Sequence, residues 1–235
     1  MMRALLVDDE RLARAELRRL LAAQPTVEIV GEAANASDAL QQIATLKPDL
    51  VFLDVQMPGG SGFDLLAALD QAPEVIFTTA FDRYALQAFE VNALDYLQKP
   101  IQAQRLTAAL ARAGLRVARE KTPTASGAQK IFIKDGERCW FVNLSNIRLF
   151  ESDGNYTRVY FDGYKPLLLR SLNQLEERLD PQRFFRASRR HIVNLGFVQQ
   201  VTPTDGGGLD LLLEDQLAVE VSRRRAAQFK SLASL

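Results

Sequence analysis

The first 120 residues alternate between short, nearly unbroken apolar runs and stretches whose apolar positions recur every three or four residues. Runs of the first kind fit strands covered on both faces, and stretches of the second kind fit amphipathic helices lying on them. Arg3 to Val7 opens the series, and the spacing of Ala13, Leu17, Leu20 and Leu21 predicts a helix from about Glu10 to Ala23. Val27 to Val30 is the second strand, with Gly31 as its exit. Asn35 then caps a helix carrying Leu40, Ile43 and Leu46, which Pro48 ends. Leu50 to Leu53 is the third strand; it runs into Asp54 and then Pro58, Gly59, Gly60 and Gly62, a composition that predicts a flexible loop. A helix through Phe63, Leu66 and Leu69 precedes a fourth strand at Val75 to Thr78 or Thr79. A helix at about Arg83 to Val91, a fifth strand at Leu94 to Leu97 and a helix from Ala103 to about Arg119 follow. Five strands alternating with five helices predict an α/β fold with a five-stranded parallel sheet between two helical layers.

Lys121 to Lys130, with Pro123, Thr124, Ser126 and Gly127, loses this period and reads as a linker. Beyond it the pattern shortens to that of strands. Ile131 to Lys134 and Arg138 to Val142 flank Asp135-Gly136, a hairpin signal. Further strands are predicted at 147–150, 157–161, 165–170, 191–194, 198–201, 209–213 and 218–221. Ser171 with Gln174 forms a capping-box signature for a helix at Leu172 to Leu179, and Ser222 can cap a short helix through Leu232. The predicted organisation is therefore an α/β domain over 1–120, a linker over 121–130 and a mostly-β domain over 131–235.

Composition changes this picture at three points. The chain has 235 residues, and no apolar run approaches the roughly 18 to 20 residues of a membrane helix. The N-terminus enters a strand pattern directly, without a signal peptide, so the expected compartment is the cytoplasm. A lone cysteine, Cys139, excludes an intramolecular disulfide and a cysteine-based metal cluster and is expected to be a buried packing residue. The formal net charge of zero hides an asymmetry: residues 1–120 carry 12 basic and 16 acidic side chains, and residues 121–235 carry 17 and 13. A basic second half can face a polyanion.

Candidate chemistry gathers where predicted strands end. Asp8 and Asp9 follow the first strand and Asp54 the third, placing three carboxylates at the C-terminal edge of a parallel sheet, where open α/β folds bind ligands. Close carboxylates repel one another unless a cation lies between them, and hard oxygen donors favour Mg2+. Asp54 is the candidate nucleophile for a phosphoryl group, Asp8 and Asp9 the metal ligands. Lys99 can pair with one phosphoryl oxygen, and the hydroxyl of Thr79 can hydrogen-bond another. No second catalytic site is visible, which argues against a dedicated enzyme. In the basic half, Arg186, Arg189, Arg190 and the run Arg223 to Arg225 are candidate contacts to nucleic-acid phosphates or guanine edges. These residues alone fit an acidic partner protein equally well.

The motifs Val7-Asp8-Asp9-Glu10, Leu53-Asp54-Val55-Gln56-Met57-Pro58-Gly59, Thr79-Ala80 and Tyr96-Leu97-Gln98-Lys99-Pro100 resemble those of the receiver domain of two-component response regulators. The resemblance implies a flavodoxin-like, CheY-like fold and phosphorylation of Asp54 by a sensor histidine kinase. It further implies a Mg2+ shell completed by the backbone carbonyl of Gln56, and Thr79 and Tyr96 as switch residues. Arg11 stands where many members carry proline. Three stretches of the second half, 149–157, 184–194 and 221–225, resemble a LytTR-type DNA-binding domain, so the whole is similar to regulators of the LytR/AlgR type. That resemblance implies base contacts by Asn155 or Tyr156, by Arg189 and by Arg224, with Arg186, Arg190 and Arg223 as nearby phosphate contacts. Asn194 and Phe185 match structural positions. The expected function is a phosphorylation-controlled transcription factor that binds promoter DNA, as a homodimer when phosphorylated. The alternative is a regulator that grips an acidic protein without DNA selectivity.

Overall fold

The computed structural model describes residues 1–80, 95–120 and 129–232. The chain divides into two compact units, Met1–Leu144 and Ser145–Leu235. The first is built on a parallel sheet of β1 (Met2–Val7), β2 (Val27–Ala33), β3 (Leu50–Asp54), β6 (Glu74–Thr79) and β7 (Asp95–Gln98), in the order β2-β1-β3-β6-β7. A minor pair, β4 (Gln56–Met57) and β5 (Gly60–Ser61), lies between β3 and β6 in sequence. The described helices are α1 (Arg11–Leu21), α2 (Ala36–Leu46), α3 (Gly62–Ala68) and α4 (Ala103–Glu120). The helix predicted at 83–91 lies outside the described residues, as does most of the predicted linker.

Successive side chains of a strand point to opposite faces, and both faces of this sheet are apolar. Leu5, Val7, Val51, Leu53 and Phe77 join α2 and α3 in one core; Ala4, Leu6, Leu50, Phe52, Ile76 and Leu97 join α1 and α4 in the other. Asn35 caps α2 as predicted, its side chain accepting from the Asp38 amide at 2.9 Å. Gly31 is not the exit of β2, which continues to Ala33. Its missing side chain instead lets α2 approach, since a Cβ there would lie 2.3 Å from Gln42 Oε1. The glycine-rich segment after Asp54 carries secondary structure of its own. It forms the β4–β5 pair, and Ser61 and Asp64 cap α3 reciprocally.

A hairpin of β8 (Lys130–Asp135) and β9 (Arg138–Asn143) completes the first unit. Phe132 and Cys139 belong to the core on the α2–α3 face, where the Phe132 ring stacks against Phe63 with centroids 6.5 Å apart. Lys130 pairs with the buried Glu74 and Lys134 with Asp64. The Ala72 amide donates to the Lys130 carbonyl at 3.0 Å. The hairpin thus continues the receiver-like core past the end of α4.

The second unit is mostly β. One antiparallel sheet has the order β12-β11-β10-β14-β13, from β10 (Leu149–Asp153), β11 (Tyr156–Tyr160), β12 (Leu167–Leu168), β13 (Phe184–Arg186) and β14 (His191–Asn194). A second contains β15 (Val198–Pro203), β16 (Leu209–Leu213) and β17 (Ala218–Val221). Leu149, Phe185 and Val193 of the first sheet share a core with Leu211, Val219 and Val221 of the second and with Phe229 of α6 (Arg223–Leu232). The predicted capping box is present on α5 (Leu172–Glu176). The expected strand at 165–170 is reduced to two residues, whereas β13 was not anticipated. Asn194 is buried with its polar atoms satisfied: Nδ2 donates to the Ile147 carbonyl at 2.8 Å, and Oδ1 accepts from the Gly196 amide at 3.0 Å.

Candidate phosphoryl pocket and nucleic-acid interface

In the first unit, β1 and β3 are neighbours with Val7 opposite Leu53, so Asp8 and Asp54 emerge side by side. Oxygens of Asp8, Asp9 and Asp54 lie within 4.8 Å of one another. Asp8 and Asp54 are each 6% exposed, and Asp9 is the more accessible of the three. Lys99 is carried to the same edge by β7, its amide donating to the Thr79 carbonyl at 2.8 Å. Its ammonium lies 2.8 Å from Asp8 Oδ2 and 3.3 Å from Asp54 Oδ2. The Lys99-Pro100 peptide is cis.

Burial is the main influence on the Asp54 carboxyl and pushes its pKa to about 6. Lys99 opposes that shift, and the neighbouring Asp8 charge adds to it. Burial also disfavours the charge on Lys99, but Asp8 and Asp54 together outweigh this and raise its pKa. A cleft of about 580 Å³ opens over these groups, lined by Asp9, Asp54, Gln56, Met57, Thr79 and Lys99 among others. Thr79 is buried at the end of β6, and Tyr96, half-buried, pairs in register with Phe77. Gly62 packs against the Asp54 backbone, where a Cβ would lie 2.4 Å from the Asp54 carbonyl oxygen. Three converging hard-oxygen donors fit a divalent cation such as Mg2+.

Sequence reasoning missed what holds Asp8. Its Oδ1 accepts from the Glu10 amide at 3.0 Å, and its backbone carbonyl accepts from Arg14 at 2.6 Å. The available signal was the place of Arg14 beside Ala13 and three residues before Leu17 on the predicted helix, because an arginine next to an apolar face needs an acceptor.

In the second unit, backbone hydrogen bonds gather the basic segments at one edge. The Ser152 amide donates to the Arg190 carbonyl at 2.8 Å, placing the turn that carries Asn155 and Tyr156 beside the 187–190 bend. The Ser222 amide donates to the Ala187 carbonyl at 3.1 Å, placing the first turn of α6 on the other side of that bend. Asn155, Tyr156, Arg189, Arg190, Arg223 and Arg224 are exposed there. The Arg190 guanidinium lies 3.3 Å from Glu151, which also accepts from Tyr160 Oη at 2.6 Å. Arg186 does not fit the expectation of a phosphate contact. Its side chain is 9% exposed, with Nε donating to the Ser188 carbonyl at 2.7 Å, NH2 to the Arg189 carbonyl at 3.0 Å and NH1 to Glu176.

A parallel sheet with a buried aspartate, two further carboxylates and a lysine at one edge, followed by a mostly-β unit with a basic edge, has the layout of a receiver followed by a module that can face a polyanion. The comparisons agree. The response regulator receiver domain family matches residues 4–111, and the LytTr DNA-binding domain family matches residues 137–234. The transcriptional regulatory protein BtsR of Salmonella typhi is 36% identical over the full length of both chains. An uncharacterized response regulatory protein of Vibrio cholerae is 38% identical, covering 99% of this chain and 98% of that one. The sensory transduction protein LytT of Enterococcus faecalis is 33% identical over the full length of both. This chain belongs to the two-component response regulators that join a receiver to a LytTR DNA-binding domain. Among the described residues, no helix is long and apolar enough to cross a membrane.

Proposed function

We propose that the protein is a cytoplasmic transcription regulator switched by transfer of a phosphoryl group from a sensor histidine kinase to Asp54. The observation that carries this reading is the buried Asp54 carboxylate, 3.3 Å from the Lys99 ammonium, open to a cleft it shares with Asp9 and within 4.8 Å of Asp8. An Asp54 oxygen forms the new bond to phosphorus as the bond to the donor breaks. Asp8, Asp9, Asp54 and the Gln56 carbonyl would hold Mg2+, which when bound offsets the charge of the phosphoryl oxygens. Lys99 pairs with one of those oxygens, and the Thr79 hydroxyl donates to another. Thr79 and Tyr96, on adjacent strands, then report occupancy of the pocket. Chemistry ends with hydrolysis of the phosphoaspartate; no other turnover is proposed.

The second domain binds double-stranded promoter DNA through Asn155 or Tyr156, Arg189 and Arg224 at base edges, with Arg190 and Arg223 on phosphates. Arg186 supports the 187–190 bend from behind. Domain borders at 1–120 and 131–235 with a linker between them remain part of this proposal, although the hairpin at the start of the second domain packs on the first. Phosphorylation favours a homodimer, which raises the effective concentration of the second DNA-binding domain at a repeated site. Fluorescence anisotropy of the full chain on a promoter pool, with and without acetyl phosphate and Mg2+, tests the reading. Selective binding that tightens with donor, and no longer does so in Asp54→Asn, is expected. Binding without sequence selection would favour an acidic protein partner instead.

A further inference from the structure

Two basic segments lie about thirty residues apart in sequence and meet at one edge of the second unit. A single carboxylate spans them. Glu176, the last residue of α5, has Oε2 3.4 Å from Arg186 NH1 and Oε1 3.3 Å from Arg225 NH2. Each oxygen therefore takes one arginine, Oε2 from the first segment and Oε1 from the second. Arg186 in turn holds the bend: its other two nitrogens donate to the carbonyls of Ser188 and Arg189. The connection runs from the Glu176 carboxylate through the Arg186 fork to the backbone of Arg189, with the Ser222–Ala187 backbone bond beside it.

We propose that Glu176 is a positioning residue for DNA selection, setting the bend that presents Arg189 against the helix turn that presents Arg224. This rests on the reading that those two arginines contact bases. Arg186 is largely desolvated, and Arg225 lies close enough to disfavour its charge. Two guanidinium groups at this spacing repel one another, and the carboxylate between them removes that repulsion. A planar fork making three directed bonds fixes a loop more closely than an ammonium would.

Positioning by Glu176 and a simple effect of its charge act on DNA binding in opposite directions. A carboxylate near a DNA-binding edge repels phosphates, so its removal on electrostatic grounds alone strengthens binding to all DNA alike. If Glu176 positions Arg189, its removal lowers discrimination between sequences, because a displaced fork no longer matches a guanine edge. The test uses the full chain, a duplex enriched by the unsubstituted protein from a random-sequence pool, and a shuffled duplex of the same composition. In Glu176→Gln, the ratio of the two dissociation constants should fall about tenfold, the worth of roughly one base contact. Affinity for the shuffled duplex should hold or rise. Arg186→Lys should lower the ratio similarly, and the double variant should lose little more than either single one.

Equal changes on both duplexes, or additive losses in the double variant, would overturn the proposal. If Glu176→Gln lowers the melting temperature into the assay range, Glu176→Asp replaces it. That variant keeps the charge and shortens the reach, so a reduced ratio is expected, and an unchanged ratio would overturn the idea. Failure of the unsubstituted chain to enrich any sequence would remove the DNA-binding reading itself, which is a different result from enrichment that is insensitive to Glu176.

Discussion

The two functional regions hold charge in opposite ways. In the pocket, one lysine serves two buried carboxylates, and every group arrives on the end of a strand whose neighbours are fixed by the sheet. At the basic edge, the arginines sit on a bend and on a helix turn, and part of their charge is taken up by the protein's own Glu151 and Glu176. A rigid sheet edge positions groups by topology. A loop edge has to be positioned by side chains that make no contact with the ligand, so residue count there overstates the surface offered to a partner.

The largest expected effect breaks the pocket. Asp54→Asn should abolish incorporation of phosphate from a radiolabelled small donor, and retained label would remove Asp54 as the acceptor. Next comes the packing that supports the pocket from below. Phe132→Ala should cost about 3 to 5 kcal/mol, measured as the urea midpoint of the first unit's transition. It should also open Cys139, which is 4% exposed and whose thiol burial pushes up to about 11. Alkylation of Cys139 at neutral pH should be slow in the parent and fast in the variant; equal rates would show that the hairpin does not shield it.

At the basic edge, Arg189→Ala should weaken selection of the enriched duplex by about 1 to 3 kcal/mol with a smaller loss on shuffled DNA. Equal loss on both would make Arg189 a phosphate contact only. The smallest effect is expected from Lys134→Ala. Its partner Asp64 is about half exposed, so the pair should contribute less than about 1 kcal/mol. The hydrogen bond from Lys134 is the main cause lowering the Asp64 pKa from 3.8 to about 2. A lowered carboxylate pKa gives stability that is present above 3.8 and is lost as pH falls through about 2. The difference between parent and variant in urea should therefore narrow as pH is lowered across that window.

The same contrast decides what the sequence made legible. Asp8, Asp9, Asp54, Thr79 and Lys99 could be read in advance because each follows a buried run, and strand order in a parallel sheet leaves few places for its ends. Gly31 misled because a glycine near a strand end signals a turn, whereas here it relieves a helix contact across the layer. The loop after Asp54 was expected to be flexible from its glycines, yet Ser61 and Asp64 stand three apart, the spacing of a capping box. Strand β13 is three residues long, too short to show a period. Arg186 carried no local mark of its inward turn, because Glu176 is ten residues away and on another element.

The β8–β9 hairpin also bears on how such chains are assembled from parts over evolutionary time. The LytTr family match begins at residue 137, inside the turn between the two strands, while Phe132 and Cys139 are packed among receiver residues. A crossover in the segment 121–128 would carry both strands away with the downstream gene fragment. It would uncover Phe63 and leave Glu74 without Lys130. Exchange of modules at that seam would therefore strip the first unit of an aromatic and a lysine that its own core and its buried Glu74 use.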